Sequence, residues 1–188
     1  MTPHSATAIA TATATATASA TVYARLASPL GPLLACARDG AVAGLWFEDE
    51  RHAPLPGPDW RHAPDDDTLR QLERELGEYF GGKRRAFDVA VAPEGTPFQQ
   101  SVWRALRTVP YGATASYGAI AAAIGRPRAV RATGAANGRN PVSIVIPCHR
   151  IVGADGSPTG YAGGIARKEW LLLLESGIAA TPQRRARA

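Results

Sequence analysis

Between Asn140 and Arg150 the chain reads Asn-Pro-Val-Ser-Ile-Val-Ile-Pro-Cys-His-Arg, and no other stretch limits its fold so tightly. Val142, Ile144, Val145 and Ile146 are apolar and β-branched, which predicts a short buried strand. Pro147 has no N–H to give to a ladder, so the strand must stop there. Cys148 is thereby placed at the mouth of the fold, with His149 and Arg150 next to it. A thiol attacks as thiolate, and a neighbouring imidazole and guanidinium favour that form. A depressed thiol pKa is therefore expected. The plain alternative for a cysteine after an apolar strand is a small buried hydrophobe.

The 188 residues, 45% of them hydrophobic, suffice for one large or two small domains. No apolar run approaches the roughly 20 residues that a membrane span needs, and no membrane association is expected. Cys36 and Cys148 are far apart and differently surrounded, so neither a disulfide framework nor a metal cluster is expected. No metal or cofactor is called for. A free thiol fits a reducing compartment such as the bacterial cytoplasm, or the nucleus in a eukaryote. The net charge of +5 hides an asymmetry: residues 1–95 hold nine basic and thirteen acidic groups, residues 96–188 twelve and three. A polyanionic partner is thus expected for the second half alone.

Read in order, residues 1–21 form an Ala/Thr-rich tail of low complexity, without the cationic start and Leu- or Val-rich core of a signal peptide. Residues 22–92 predict a small structural α/β domain with an antiparallel sheet. Its strands are Val22–Ala27, Gly31–Arg38, Ala41–Glu48 and Arg85–Ala92, with Asp39-Gly40 as a hairpin turn. Asp65, Asp66 and Asp67 start a helix carrying the stripe Leu69, Leu72, Leu76, Phe80, and Gly81-Gly82 ends it. His52 and His62 read as solvated loop residues.

Residues 93–97 form a linker, and residues 98–178 a second, mostly helical domain. A helix runs from about Pro97 to Thr108. A second spans Ala115–Ile124 and a third Arg128–Asn137, separated by Gly125-Arg126-Pro127. Helix, Gly-containing turn and helix in a basic segment suggest a winged helix-turn-helix-like unit. The third helix is rich in Ala129, Ala132, Gly134, Ala135 and Ala136, which suits close packing on a neighbour or close approach to a DNA groove. Arg128, Arg131 and Asn137 are its few candidates for DNA contact, which predicts little sequence preference. After the Gly-rich segment 159–164, a helix over Ile165–Glu175 is expected to face the core with Trp170, Leu173 and Leu174. Residues 179–188 form a basic tail.

The string Ile-Pro-Cys-His-Arg-Ile-Val resembles the active-site signature of the O6-alkylguanine-DNA alkyltransferases, or methylated-DNA–protein-cysteine methyltransferases. The similarity extends over about Thr96–Gly177. It implies DNA repair by direct reversal: a monomer approaches duplex DNA through the minor groove, flips out O6-alkylguanine, and takes the alkyl group irreversibly onto Cys148. His149 resembles the activating base, acting through a water, and Glu175 the group orienting that imidazole. Asn140 resembles the tie between the end of the recognition helix and the active-site strand. Tyr117 resembles the proton donor to the departing guanine, and Arg131 the finger that fills the vacated stack. Tyr161 resembles the pocket wall. The resemblance also implies pocket contacts at Ala162 N–H and at the carbonyls of Cys148 and Ile151, with Gly163 alongside, and DNA contacts at Ser116 and Lys168.

Two other readings compete. A non-catalytic lesion sensor or regulator would use the helix-turn-helix without chemistry, against which stands the presence of Cys148. A cysteine hydrolase would use the same relay, against which stands the basic helix-turn-helix.

Overall fold

The computed structural model describes residues 20–177. The expected basic tail, and all but the last two residues of the expected Ala/Thr-rich tail, lie outside the described residues.

The first unit is built on β1 (Val22–Leu26), β2 (Leu33–Arg38) and β3 (Ala41–Phe47), paired antiparallel. A two-residue strand β4 (Arg61–His62) adds parallel to β1, giving the order β3-β2-β1-β4. Alternation decides the faces: Val22, Ala24 and Leu26 of β1 are buried, while Arg25 between them is exposed. Asp39 and Gly40 both take positive φ, as a tight hairpin between right-twisted strands requires. Helix α1 (Asp67–Phe80) is capped by Asp66, whose side chain accepts from the N–H groups of Thr68 and Leu69. Its inner face carries Leu69, Leu72, Leu76 and Tyr79.

The strand expected over Arg85–Ala92 is reduced to a single bridge, Val91 to Val42. The reason is local. Oε2 of the buried Glu75 takes the N–H groups of Asp88 (2.9 Å) and Val89 (3.2 Å), so a side chain uses donors that a ladder would need.

The second unit begins with α2 (Pro97–Leu106), which opens on a capping box between Thr96 and Gln99 with proline at the first turn. Then follow β5 (Ala115–Ser116), α3 (Tyr117–Ala123), α4 (Val130–Asn137), a 3-10 turn (Cys148–Arg150), β6 (Ile151–Val152) and α5 (Ile165–Glu175). Helices α3 and α4 form the helix-turn-helix, and α2 braces it: the Trp103 indole donates to the Ala136 carbonyl at 2.9 Å. On α5 the apolar arc is rotated from expectation. Trp170 and Leu171 are buried, whereas Leu173 is 43% exposed.

The two units share one continuous core. Leu33, Phe47, Leu72 and Tyr79 of the first pack in the same cluster as Leu106, Ile144, Ile151 and Leu171 of the second. Each such buried apolar side chain contributes about 1.5–3 kcal/mol, and the buried cluster runs without a break from one unit into the other. A small sheet-and-helix unit followed by a mostly helical unit with a helix-turn-helix is the architecture expected from the sequence.

Candidate active site

The apolar run before Cys148 is not a strand. Only Val142 bridges to a strand, pairing with Leu45 of β3, and the rest folds into consecutive turns around the Asn140 amide. Oδ1 of Asn140 accepts from Val142 N–H at 3.1 Å. Its Nδ2 donates to the carbonyls of Val142 (3.3 Å) and Ile146 (2.8 Å), and to Cys148 Sγ at 3.0 Å. Ile144 is forced to φ +72°, a region that β-branched residues avoid. Such a residue costs of order 1–3 kcal/mol and persists only where its surroundings over-determine it. Here they do: Ile144 and Ile146 are buried, and β3 holds the stretch through Leu45 N to Pro141 O (2.7 Å) and Ser143 N to Leu45 O (2.8 Å).

Cys148 therefore sits inside the fold, 4% exposed. Its thiol pKa is not depressed. Burial pushes it up to about 12, against the Asn140 hydrogen bond and the Lys168 charge, with Glu50 nearby raising it further. The expectation failed because sequence neighbours point different ways on a 3-10 turn. The Arg150 guanidinium turns to Glu175 and to the Val109 carbonyl at 2.6 Å, and the His149 ring also faces Glu175.

Glu175, the last residue of α5, gathers five donors. Oε1 receives Tyr79 OH (2.7 Å), His149 Nε2 (2.8 Å) and Arg150 Nη2 (2.9 Å), while Oε2 receives Arg150 Nε (2.8 Å) and Gly112 N–H (3.1 Å). Gly112 has φ +75°, and a Cβ there would lie 3.0 Å from the Glu175 carbonyl, so only glycine brings its N–H this close without strain. Burial opposes the charge on Glu175, but the His149 and Arg150 hydrogen bonds and charges prevail and hold its carboxyl at about 2. Burial lowers the His149 pKa, so the ring is neutral at neutral pH. An ionised Glu175 assigns the imidazole proton to Nε2. Nδ1 is then an unprotonated base, buried and without a protein partner.

Tyr161 and Gly163, the residues expected to wall the base, are both buried. A Cβ on Gly163 would come within 2.8 Å of the Tyr161 ring and 2.9 Å of Phe47, so only glycine fits between the two rings. Ala162 is half-buried between them. Tyr117, half-buried at the start of α3, donates its hydroxyl to the carbonyls of Thr159 (2.9 Å) or Gly160 (3.1 Å), and burial raises its pKa. Ser116 caps α3, its hydroxyl accepting from Ala119 N–H at 3.1 Å.

Two expected DNA contacts do not face solvent. Lys168 is 0% exposed, and its ammonium donates to the carbonyls of Ile151 and Thr159. Its place one turn into α5, on the helix's inner side, buries it, and desolvation brings its pKa down to about 8. Asn137 is buried as well, with Nδ2 donating to the Cys148 carbonyl at 3.4 Å, because it lies on the same α4 face as Thr133 and Ala136. Ile151 is buried, with its carbonyl shared by Lys168. Arg128 and Arg131, by contrast, are exposed, as are Ala132 and Ala135. The outer face of α4 thus carries Arg131 among small residues, with Val130 exposed at its first turn and Arg128 just before it. No group of three or more His, Cys, Asp or Glu among the described residues could hold a metal ion, and no helix there is long and apolar enough to cross a membrane.

Two family descriptions match this chain in tandem. "6-O-methylguanine DNA methyltransferase, ribonuclease-like domain" covers residues 21–93, and "6-O-methylguanine DNA methyltransferase, DNA binding domain" covers residues 97–177. The methylated-DNA–protein-cysteine methyltransferase of Methanosarcina barkeri is 47% identical over 154 residues, spanning 81% of this chain and 96% of its own. That of Mycobacterium tuberculosis is 45% identical over 157 residues, spanning 84% and 93%. The chain belongs to the methylated-DNA–protein-cysteine methyltransferase family. Among solved members of this methyltransferase family, Mycobacterium tuberculosis OGT in complex with DNA superposes with a TM-score of 0.79 at 42% identity, over 86% of this chain and 96% of that one. The O6-methylguanine methyltransferase of the same organism gives 0.76 at 43%, over 85% and 94%.

The methyltransferase DNA-binding domain contains every site residue expected from the sequence. It does not contain Tyr79 or Glu50, which reach the site from the ribonuclease-like domain and were missed. Tyr79 could have been found: it follows Leu76 by three residues on the buried stripe of α1, and a core tyrosine needs a partner for its hydroxyl.

Proposed function

We propose that this chain repairs O6-alkylated guanine in duplex DNA by moving the alkyl group, once and irreversibly, onto Cys148. The observation that carries this reading is the join of three residues. The Cys148 sulfur is held by Asn140 on a turn whose next residue, His149, is locked to an ionised Glu175 with Nδ1 left as a base. The family membership and the DNA-bound relative support the substrate class.

In this mechanism His149 Nδ1 takes the thiol proton through a bridging water as sulfur attacks the alkyl carbon. The S–C bond forms, the C–O6 bond breaks with its electrons staying on guanine, and Tyr117 supplies a proton to the ring. Glu175 stabilises the imidazolium that forms, as the carboxylate of an acyl-transfer triad does. The raised thiol pKa fits a group kept neutral until substrate is in place: a buried, protonated cysteine reacts little with stray electrophiles. Tyr161, Gly163 and Ala162 form the wall for the flipped base, with Ile151 behind it. The exposed α4 face, with Arg128 and Arg131 on a small-residue surface, suits close approach of a monomer to the minor groove, with Arg131 filling the space of the extruded base.

The test is direct. The protein is incubated with duplex DNA carrying O6-methylguanine, and its intact mass and tryptic peptides are measured. A mass gain of one methyl group on the Cys148 peptide is expected. An unmodified Cys148 with the lesion still present would refute the reading.

A further inference from the structure

Glu50 follows β3 in the first unit, yet its carboxyl is turned into the acceptor site of the second. It is 6% exposed. Oε2 accepts from Phe47 N–H at 3.1 Å and from the Ser143 hydroxyl at 3.4 Å. Oε1 is buried without a partner. The Tyr161 hydroxyl is likewise buried, beside Ser143, and both Tyr161 and the Cys148 thiol lie within electrostatic reach of the Glu50 carboxyl. No step of the alkyl transfer described above uses this group. A carboxyl withdrawn from water with one oxygen unfilled is costly, and this one bears on the Cys148 thiol electrostatically.

We propose that Glu50 is a positioning residue for alkyl transfer, supplied by the first domain. Protonated, it anchors Ser143 and the Tyr161 wall; ionised, its charge opposes the negative charge that develops on Cys148 Sγ. This rests on Cys148 being the alkyl acceptor.

The groups facing Glu50 are few. Phe47 N–H and the Ser143 hydroxyl favour its anion. The Arg167 guanidinium of α5 also favours it, but bonds Asp49 at 2.7 Å and lies over the Phe47 ring. The Asp49 carboxylate disfavours the anion. Burial outweighs the three favourable contacts and brings the Glu50 pKa up to about 7. Glu50 is therefore mostly neutral below neutrality and mostly charged above it. Rising pH would otherwise help the thiol lose its proton; ionisation of Glu50 counteracts that gain. The net rate should climb with pH less steeply than a lone cysteine and histidine would allow.

The experiment compares wild type with Glu50→Gln, which keeps the shape and an acceptor oxygen but removes the charge. Single-turnover methyl transfer from an O6-methylguanine duplex is followed from about pH 6 to about pH 8.5. In parallel, iodoacetamide modification of Cys148 is read by peptide mass without DNA. The ratio of variant to wild-type rate should rise roughly threefold to tenfold across that range in both assays. Ser143→Ala, which removes one donor to the Glu50 anion, should move the inflection of both profiles to higher pH, and it gives an answer even if Glu50→Gln folds poorly. A pH-independent ratio for Glu50→Gln, or an unmoved inflection for Ser143→Ala, would overturn the proposal. Failure of the wild type to accept methyl from DNA would instead overturn the acceptor reading, while the iodoacetamide arm still reports on Glu50 and the thiol.

Discussion

Tyr79, on the helix of the first domain, donates its hydroxyl to Oε1 of Glu175 at 2.7 Å, and the same oxygen faces His149 Nε2. The His149–Glu175 pair is thus braced by a residue 96 positions away from Glu175 in sequence. Tyr79→Phe removes one of five donors to Glu175 while keeping the ring in the core. Alkyl transfer should slow several-fold, and stability should fall by roughly 1 kcal/mol. Tyr79→Ala should cost about 3–5 kcal/mol through the cavity left behind. Urea unfolding and single-turnover kinetics on the same preparations would separate the two effects. Equal rates for Tyr79→Phe and wild type would mean the hydroxyl plays no part in the relay.

Removing Glu175's charge has a pH signature. Its carboxyl is held at about 2, below the ordinary 4.5. A depressed acid contributes stability above its unfolded pKa and loses it as pH falls towards the folded one. Glu175→Gln also strands the Arg150 cation. At neutral pH the variant should be less stable by about 3–5 kcal/mol, with the gap narrowing between about pH 4.5 and pH 2. Alkyl transfer should slow by one or more orders of magnitude, the scale of general-base effects. A stability gap that stays constant through the acid range would argue against an ionised Glu175.

Cys148→Ala should abolish alkyl transfer and leave duplex binding nearly intact, as seen by fluorescence anisotropy. Cys36 lies on β2, buried with Leu34 and Trp46 in a separate small cluster. Cys36→Ala should therefore accept methyl at the wild-type rate. Methyl transfer by the Cys148 variant would move the acceptor elsewhere.

Arg131 and Arg128 are both exposed near the start of α4, and substitution should tell them apart. Arg128→Ala should weaken binding to all DNA and lower the salt slope by about one, as loss of a phosphate contact does. Arg131→Ala should react poorly with O6-methylguanine in a matched duplex, yet recover on single strands or the free base, where extrusion costs little. Slowing of Arg131→Ala to the same degree on duplex and free base would rule out the finger role.

The sequence signals differed in reach. Period and punctuation placed α1 because its acidic cap and leucine stripe are local: Asp66 and the run Leu69, Leu72, Leu76 act within one or two turns of chain. The span of α5 was legible in the same way, but not which of its apolar residues face inward, since Leu173 is exposed. The Cys148–His149 pair and Glu175 were legible through their resemblance to a known signature. The path of 142–146 was not. Its β-branched residues are apolar because the turns around Asn140 are buried, and burial alone does not separate a strand from a packed turn. The thiol's environment was misread for a related reason, since Arg150 adjoins Cys148 in sequence but spends its charge on Glu175. Tyr79 and Glu50 enter from the other domain, and no local pattern reports which distant helix or strand will dock.

The staple between Leu45 and the Pro141–Ser143 segment has a consequence for synthesis on the ribosome. Because β3 emerges roughly a hundred residues before the segment it holds, and domains fold as units from the N-terminus, the first sheet can be waiting as a template. Ile144 can then be driven into its unfavourable backbone state by a surface that already exists. The buried setting of the Cys148 sulfur is in this sense a late product of folding: a truncated or half-made chain would carry the cysteine without its surroundings.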